Sequence, residues 1–176
     1  MEFRQQLARA LAPLKHRLQL MIGRAVIHTI NDGSQLQTLQ LGILPGELKE
    51  PVERLQEYGF TSHPKPGAEA VVLFHGGNRD HGLVIAVDDV RYRLKQLKAG
   101  EVALYDDLGN RIHLARDGLS IKAVTALTVD APKTTWNGNL AINGQLTATE
   151  DIRAAGISLK GHKHSGDSGG TTGAPQ

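Results

Sequence analysis

The 176-residue chain has no cysteine. A disulfide scaffold, a thiolate zinc site and a thiol nucleophile are thereby excluded, and nothing calls for an oxidising compartment. Long apolar runs are missing as well. None approaches the roughly 20 residues that a membrane-spanning helix requires. The stretch Leu7 to Leu14 is broken by Arg9 and Pro13, so the expectation is a soluble chain without an export signal. Charge of one sign is also scarce. The formal net charge is +2, too small for charge by itself to point to nucleic acid. Aromatic residues are few, with 3 Phe, 3 Tyr and 1 Trp against 20 Gly. After residue 93 only Tyr105 and Trp136 remain, so the second half must fold around small and β-branched residues or share a core with other chains.

What is present falls into four parts. In residues 1–20, Phe3, Leu7, Leu11, Leu14 and Leu18 recur at the spacing of an amphipathic helix. Pro13 predicts a kink or break in it. Its outer face is basic, with Arg4, Arg9, Lys15 and Arg17. The stripe reads as a helix docked on its own domain or on a sister chain rather than one lying on a membrane, which would carry more aromatics. Residues 21–93 carry short-strand signals. Residues 25–30 end at Asn31-Asp32-Gly33, a tight-turn signal, and alternation resumes from Leu36 to Leu41. Residues 70–74 and 83–87 flank a glycine-containing loop in the same way. Four or five strands in this length predict a small closed or nearly closed barrel, OB-fold-like.

Residues 94–160 differ in kind. Apolar pairs at spacing two recur at Val102 and Leu104, Ile112 and Leu114, Leu119 and Ile121, Leu127 and Val129, Leu140 and Ile142, separated by turn-like clusters. The pattern points to a β-solenoid. Two apolar side chains per unit contribute roughly 1.5–3 kcal/mol each when buried, against ordering costs of roughly 1–2 kcal/mol per residue. A ribbon of this kind is not stable alone, whereas identical chains wound about one axis would bury each stripe against its copies. The alternative is an ordinary sandwich made with residues 21–90.

Residues 161–176 contain no Leu, Ile, Val, Met or aromatic residue and are rich in Gly, Ser and Thr, a composition that by itself predicts a disordered tail. His162-Lys163-His164 stands against that. In an extended chain His162 and His164 face the same side. One chain offers too few imidazoles for a robust site, whereas three chains on a threefold axis would supply an octahedral nitrogen shell. That shell is unlike the four-coordinate one of structural zinc and compatible with iron, nickel or copper.

Other motifs read as structure. Gly166-Asp167-Ser168-Gly169-Gly170 matches the string around a trypsin-like nucleophile, but the eight residues after Ser168 leave no chain for a substrate pocket, so a Gly/Ser turn is expected. His75-Gly76-Gly77 has no nucleophile elbow to serve. His75, Asp80 and His81 lack a further spaced metal ligand, and Asp106 and Asp107 read as a turn rather than a glycosidase pair. No phosphate loop or dinucleotide fingerprint is present.

The strings Glu57-Tyr58-Gly59-Phe60-Thr61-Ser62, Pro64-Lys65-Pro66-Gly67, Gly76-Gly77-Asn78-Arg79, Gly100-Glu101-Val102-Ala103-Leu104-Tyr105 and Gly161-His162-Lys163-His164 occur in one order along nearly the whole chain. In this they resemble the baseplate central spikes of Mu-like contractile-tailed phages and of related prophages and phage-tail-like particles. The resemblance implies an all-β protein with a short N-terminal helix. An OB-fold-like barrel would join the tail, followed by an intertwined trimeric β-helix and a metal-capped apex. It implies a homotrimer at the virion tail tip, contacting tail tube and baseplate proteins through its N-terminal region. It also implies an iron ion, or nickel or another transition metal, held by His162 and His164, and mechanical piercing of the host envelope without catalysis. No nucleic acid partner is expected. A competing reading is an OB-fold module binding oligosaccharide or single-stranded nucleic acid, which would require a basic groove with exposed aromatics.

Overall fold

The computed structural model describes residues 2–166 and 168–173, and the chain divides into two compact units, Met1–Leu127 and Thr128–Gln176. In the first unit, strands β1 (Ile22–Asn31), β2 (Thr38–Leu44), β3 (Glu47–Arg54), β4 (Glu69–Phe74) and β5 (Gly82–Asp88) form a closed barrel in the order β1-β2-β3-β5-β4. Strand β1 pairs antiparallel with both β2 and β4, which closes the sheet on itself, and β3 pairs parallel with β5. A closed barrel leaves no open face for a second sheet, so the sandwich alternative does not hold.

Alternation at period two aims one side of each strand inward. Ala25 and Ile27 meet Leu39 and Leu41, Val52, Ala70, Val72 and Phe74, and Val84 in one core. Phe74 is its largest member, 1% exposed, and packs beside Gly23 and Gly82, where a Cβ would lie 3.1 and 3.2 Å from its ring. Phe74→Ala is expected to destabilise the barrel by about 3–5 kcal/mol, read as lost hydrogen-exchange protection across the β1 and β4 amides.

The hairpin around Asn31-Asp32-Gly33 and the β4–β5 connection form where the sequence places them. That connection is a single 3₁₀ turn, His75–Gly77, followed by residues 78–81. Gly77 adopts φ 74° and lies against the Arg17 backbone, where a Cβ would come within 2.4 Å, so the glycine is needed for this close approach. Helix α1 (Glu2–Gln19) runs unbroken through Pro13, contrary to an interruption there. Around Pro13 the helix is exposed, so water can take the Arg9 carbonyl that the proline leaves without a donor. Nor is the stripe docked on its own domain. None of the helix's residues is buried, and Phe3, Leu7, Leu11, Leu14 and Leu18 stand 47–75% exposed.

Strands β6 (Val102–Tyr105), β7 (Arg111–Ala115) and β8 (Gly118–Lys122) form a separate antiparallel sheet, β6-β7-β8. In the second unit, β9 (Arg153–Ala154) and β10 (Ile157–Ser158) make a minimal hairpin. Its two loop residues, Ala155 and Gly156, take φ 48° and 84°, the positive values of a type I′ turn. Among the described residues no strand forms between Lys122 and Arg153, so the pairs Leu127/Val129 and Leu140/Ile142 make no ladder within the chain.

Candidate functional site

The β6-β7-β8 sheet concentrates three of the apolar pairs on one face. Val102 lies opposite Leu114 and Leu114 opposite Leu119, while Leu104 lies opposite Ile112 and Ile112 opposite Ile121. These six side chains are 39–64% exposed. A contiguous uncovered apolar face of this kind marks an interaction surface. Val124, Leu127, Val129, Leu140, Ile142 and Leu146 are likewise exposed further along the chain.

Glu101 anchors the start of this sheet. Its carboxylate accepts the Lys98 amide at 2.9 Å and the Arg116 amide at 3.2 Å, and it faces His113 at 3.4 Å. The amide hydrogen bonds, Lys98's first, hold its carboxyl below the usual range. Asp106 accepts the Leu108 and Asn110 amides at 3.0 and 2.8 Å and so holds the turn the sequence suggests, while Asp107 pairs with Lys65.

The resembling strings acquire structural tasks that composition does not reveal. Gln37, nearly buried, donates to Asp32 at 2.7 Å and to the Ser62 carbonyl at 3.1 Å. Arg54 donates to Gln37 at 2.7 Å, to the Ser62 carbonyl at 2.9 Å and to its hydroxyl at 2.8 Å. This network ties the β1–β2 loop to the β3–β4 loop, which leaves Tyr58 and Phe60 exposed. Arg79 grips Glu47 through two hydrogen bonds of 2.9 and 2.7 Å and stacks over Phe74. The Asp80 carboxylate is taken by Lys49 at 2.6 Å. Glu50 and Glu53 stand exposed on β3, while Lys49, Arg54 and Arg79 are engaged as described. The barrel face at β3 is therefore not the basic groove that a nucleic-acid module requires.

In the second unit the apex motif has defined geometry. The His162 and His164 rings meet edge to face with centroids 5.0 Å apart. His162 Nδ1 lies 2.8 Å from the Ser158 carbonyl, which also accepts the His162 amide at 3.1 Å. His164 is fixed by Thr172: the Thr172 hydroxyl accepts the His164 amide, and the Thr172 amide donates to the His164 carbonyl, each at 2.9 Å. Ser165 bridges Thr171, and the Gly166 amide donates to Gly170 at 2.7 Å. These contacts close the chain between Ser165 and Thr171, with Gly169 at φ 80°; Asp167 of the Gly166–Gly170 string, like residues 174–176 of the predicted apex, lies outside the described residues. Backbone and hydroxyl hydrogen bonds supply order that the composition does not predict. No three His, Asp or Glu residues converge among the described residues.

Asp151 organises the base of this apex. It accepts the Ser158 hydroxyl at 2.8 Å, the Lys160 amide at 3.2 Å and Arg153 Nε at 3.0 Å. These contacts, the Ser158 hydroxyl first and Arg153 next, lower its carboxyl pKa. Such a depressed value stabilises the folded turn fully above the pH at which an unfolded aspartate ionises, about 3.9. The contribution is lost as pH falls through the lower folded value. The Asp151 carboxyl carbon followed by NMR should titrate below that reference; a midpoint at or above it contradicts the arrangement.

Comparison with known proteins bears on both features. The family model "Bacteriophage Mu Gp45, N-terminal" matches residues 24–91, and "GpV Apex motif" matches residues 156–176. The chain is similar to the baseplate puncturing device gp45 of Escherichia phage Mu, 41% identical over 97% of this chain and 96% of that protein. It is equally similar to the Mu-like prophage FluMu protein gp45 of Haemophilus influenzae, 41% identical over 91% of this chain and 94% of that protein.

Proposed function

The chain belongs to the phage Mu gp45 family, and on that premise we propose that it is the trimeric central spike at the tip of a contractile tail baseplate. It is a structural virion protein that pierces the host envelope mechanically during contraction, without catalysis. The observation that carries this reading is the uncovered apolar ladder of β6-β7-β8. Three copies facing one axis would give these side chains a core and the sheet's edge strands partners.

In this reading residues 94–160 wind with two other copies into a triple-stranded β-helix. Residues 21–93 serve as the attachment domain, and the barrel's strand order supports an OB-type Greek key. Residues 1–20, with their exposed stripe and basic flank, meet tail tube and baseplate proteins. Residues 161–176 close the fibre. The paired rings of His162 and His164 fit a shared metal, because the Ser158 carbonyl can only accept. It therefore takes a proton from His162 Nδ1 and leaves Nε2 as a ligand atom. His162 and His164 of three chains would hold one iron, or nickel or another transition metal, which when bound cross-links the three chain ends. The apex lacks large apolar residues, so penetration depends on stiffness under external force rather than on insertion into lipid.

Light scattering combined with elemental analysis tests the reading. The expected result is a trimer with about one transition-metal ion per three chains. A metal-free monomer overturns it.

A further inference from the structure

We propose that Asp151 and Ser158 form a clamp that selects the metal-competent tautomer of His162, a step that rests on the metal-capped reading of the apex. Neutral imidazole carries one ring proton, and its position is set by the hydrogen bond the other nitrogen makes. Free histidine in water favours the proton on Nε2, the nitrogen that would face a metal here. In this apex the Ser158 carbonyl, 2.8 Å from Nδ1, draws the proton to Nδ1 and exposes the Nε2 lone pair.

That selection depends on where the carbonyl points, and three features hold it. The type I′ turn at Ala155-Gly156 reverses the chain so that Ser158 pairs with Arg153. The Ser158 hydroxyl donates to Asp151 at 2.8 Å and accepts the Gly161 amide at 2.8 Å, coupling the strand end to the turn that leads into His162. The Asp151 oxygen that receives this hydroxyl also receives the Lys160 amide. The carboxylate therefore gathers both sides of the loop, and the two hydrogen bonds from His162 to the Ser158 carbonyl close it. Neither residue would touch the metal: Ser158 reaches His162 through its backbone carbonyl, and Asp151 acts through Ser158. They are positioning residues acting through the backbone.

Partners that orient a ligating histidine typically change metal affinity by about 10–100-fold when removed. The test uses the full-length trimer, stripped of metal and titrated with Ni²⁺ against a competing chelator. Asp151→Asn and Ser158→Ala should each weaken binding about 10–100-fold, and Ser158→Thr, which keeps a hydroxyl, should bind as the parent does. A second readout is the tautomer of His162 in metal-free protein labelled with ¹⁵N-histidine. The parent should show Nδ1–H, and Asp151→Asn or Ser158→Ala should shift His162 towards Nε2–H. If the parent binds Ni²⁺ and His162→Ala does not, yet both clamp variants retain parent affinity and tautomer, the clamp is overturned while the metal reading stands. A parent trimer that binds no metal overturns both.

Discussion

Ile112→Asp is expected to turn the proposed trimer into a monomer with an intact barrel, as sedimentation and circular dichroism should record. Ile112 sits at the middle of the ladder, opposite Leu104 on one side and Ile121 on the other. In the single chain it is 39% exposed, so an aspartate there meets water and costs only the cross-strand pairs, about 0.2–1 kcal/mol each. In the proposed trimer the same change would bring three carboxylates to one apolar axis. Each loses the roughly 1.5–3 kcal/mol of a buried isoleucine and adds a desolvation penalty of several kcal/mol for an unpaired charge. The asymmetry between chain and assembly makes the substitution diagnostic. Ser120→Asp, on the opposite side of the same sheet beside His113, should leave the trimer whole. A trimer that survives Ile112→Asp would mean that this face is not the one the copies share.

The same distinction between one chain and its assembly explains which parts of the fold were legible. Barrel strands β1, β2, β4 and β5 were legible as apolar or alternating runs because the core they face, around Ile27, Leu41, Val72 and Phe74, lies within one chain. Strand β3 was invisible as a strand. Its sequence Glu47–Arg54 is mostly charged, contains Pro51 and buries only Val52, and it is held by pairing with β2 and β5 rather than by its own composition. The pairs at 102/104, 112/114 and 119/121 were legible as strands, and the register shows why they matter, since all six line one face. The pairs at 127/129 and 140/142 carry the same spacing without a ladder in the chain. In the proposed trimer these pairs would take their strand partners from the other copies, which accounts for a spacing without a ladder.

At the apex, the histidines stood out as residue types, but the residues that hold them did not. Asp151, Ser158 and Thr172 are common polar residues spread over 22 positions. Their significance lies in hydrogen bonds that no spacing rule announces. The strings that carry the resemblance behave alike: Ser62 and Arg79 matter because Arg54 and Glu47 reach them from strand β3.

In the proposed metal-capped trimer, replacing His162 and His164 together with alanine should abolish metal binding and loosen the apex while leaving the three chains assembled. The two rings lie against each other in one chain, so each copy would lose its whole contribution to the proposed shared metal. Any species that binds the folded form alone stabilises it by the logarithm of its saturation, about 4.1 kcal/mol at a thousand times the dissociation constant. Here that stabilisation falls on a segment with no apolar core of its own, whose order otherwise rests on the Thr172 and Gly166 hydrogen bonds. Loss of the ion should therefore appear locally, as faster amide exchange at residues 158–166. The barrel amides, which rest on the core around Phe74, should keep their protection. Chelation of the parent protein should reproduce the variant's exchange pattern, because both remove the same cross-link. Equal metal content in parent and variant trimers, measured by elemental analysis, would refute the assignment of these two histidines.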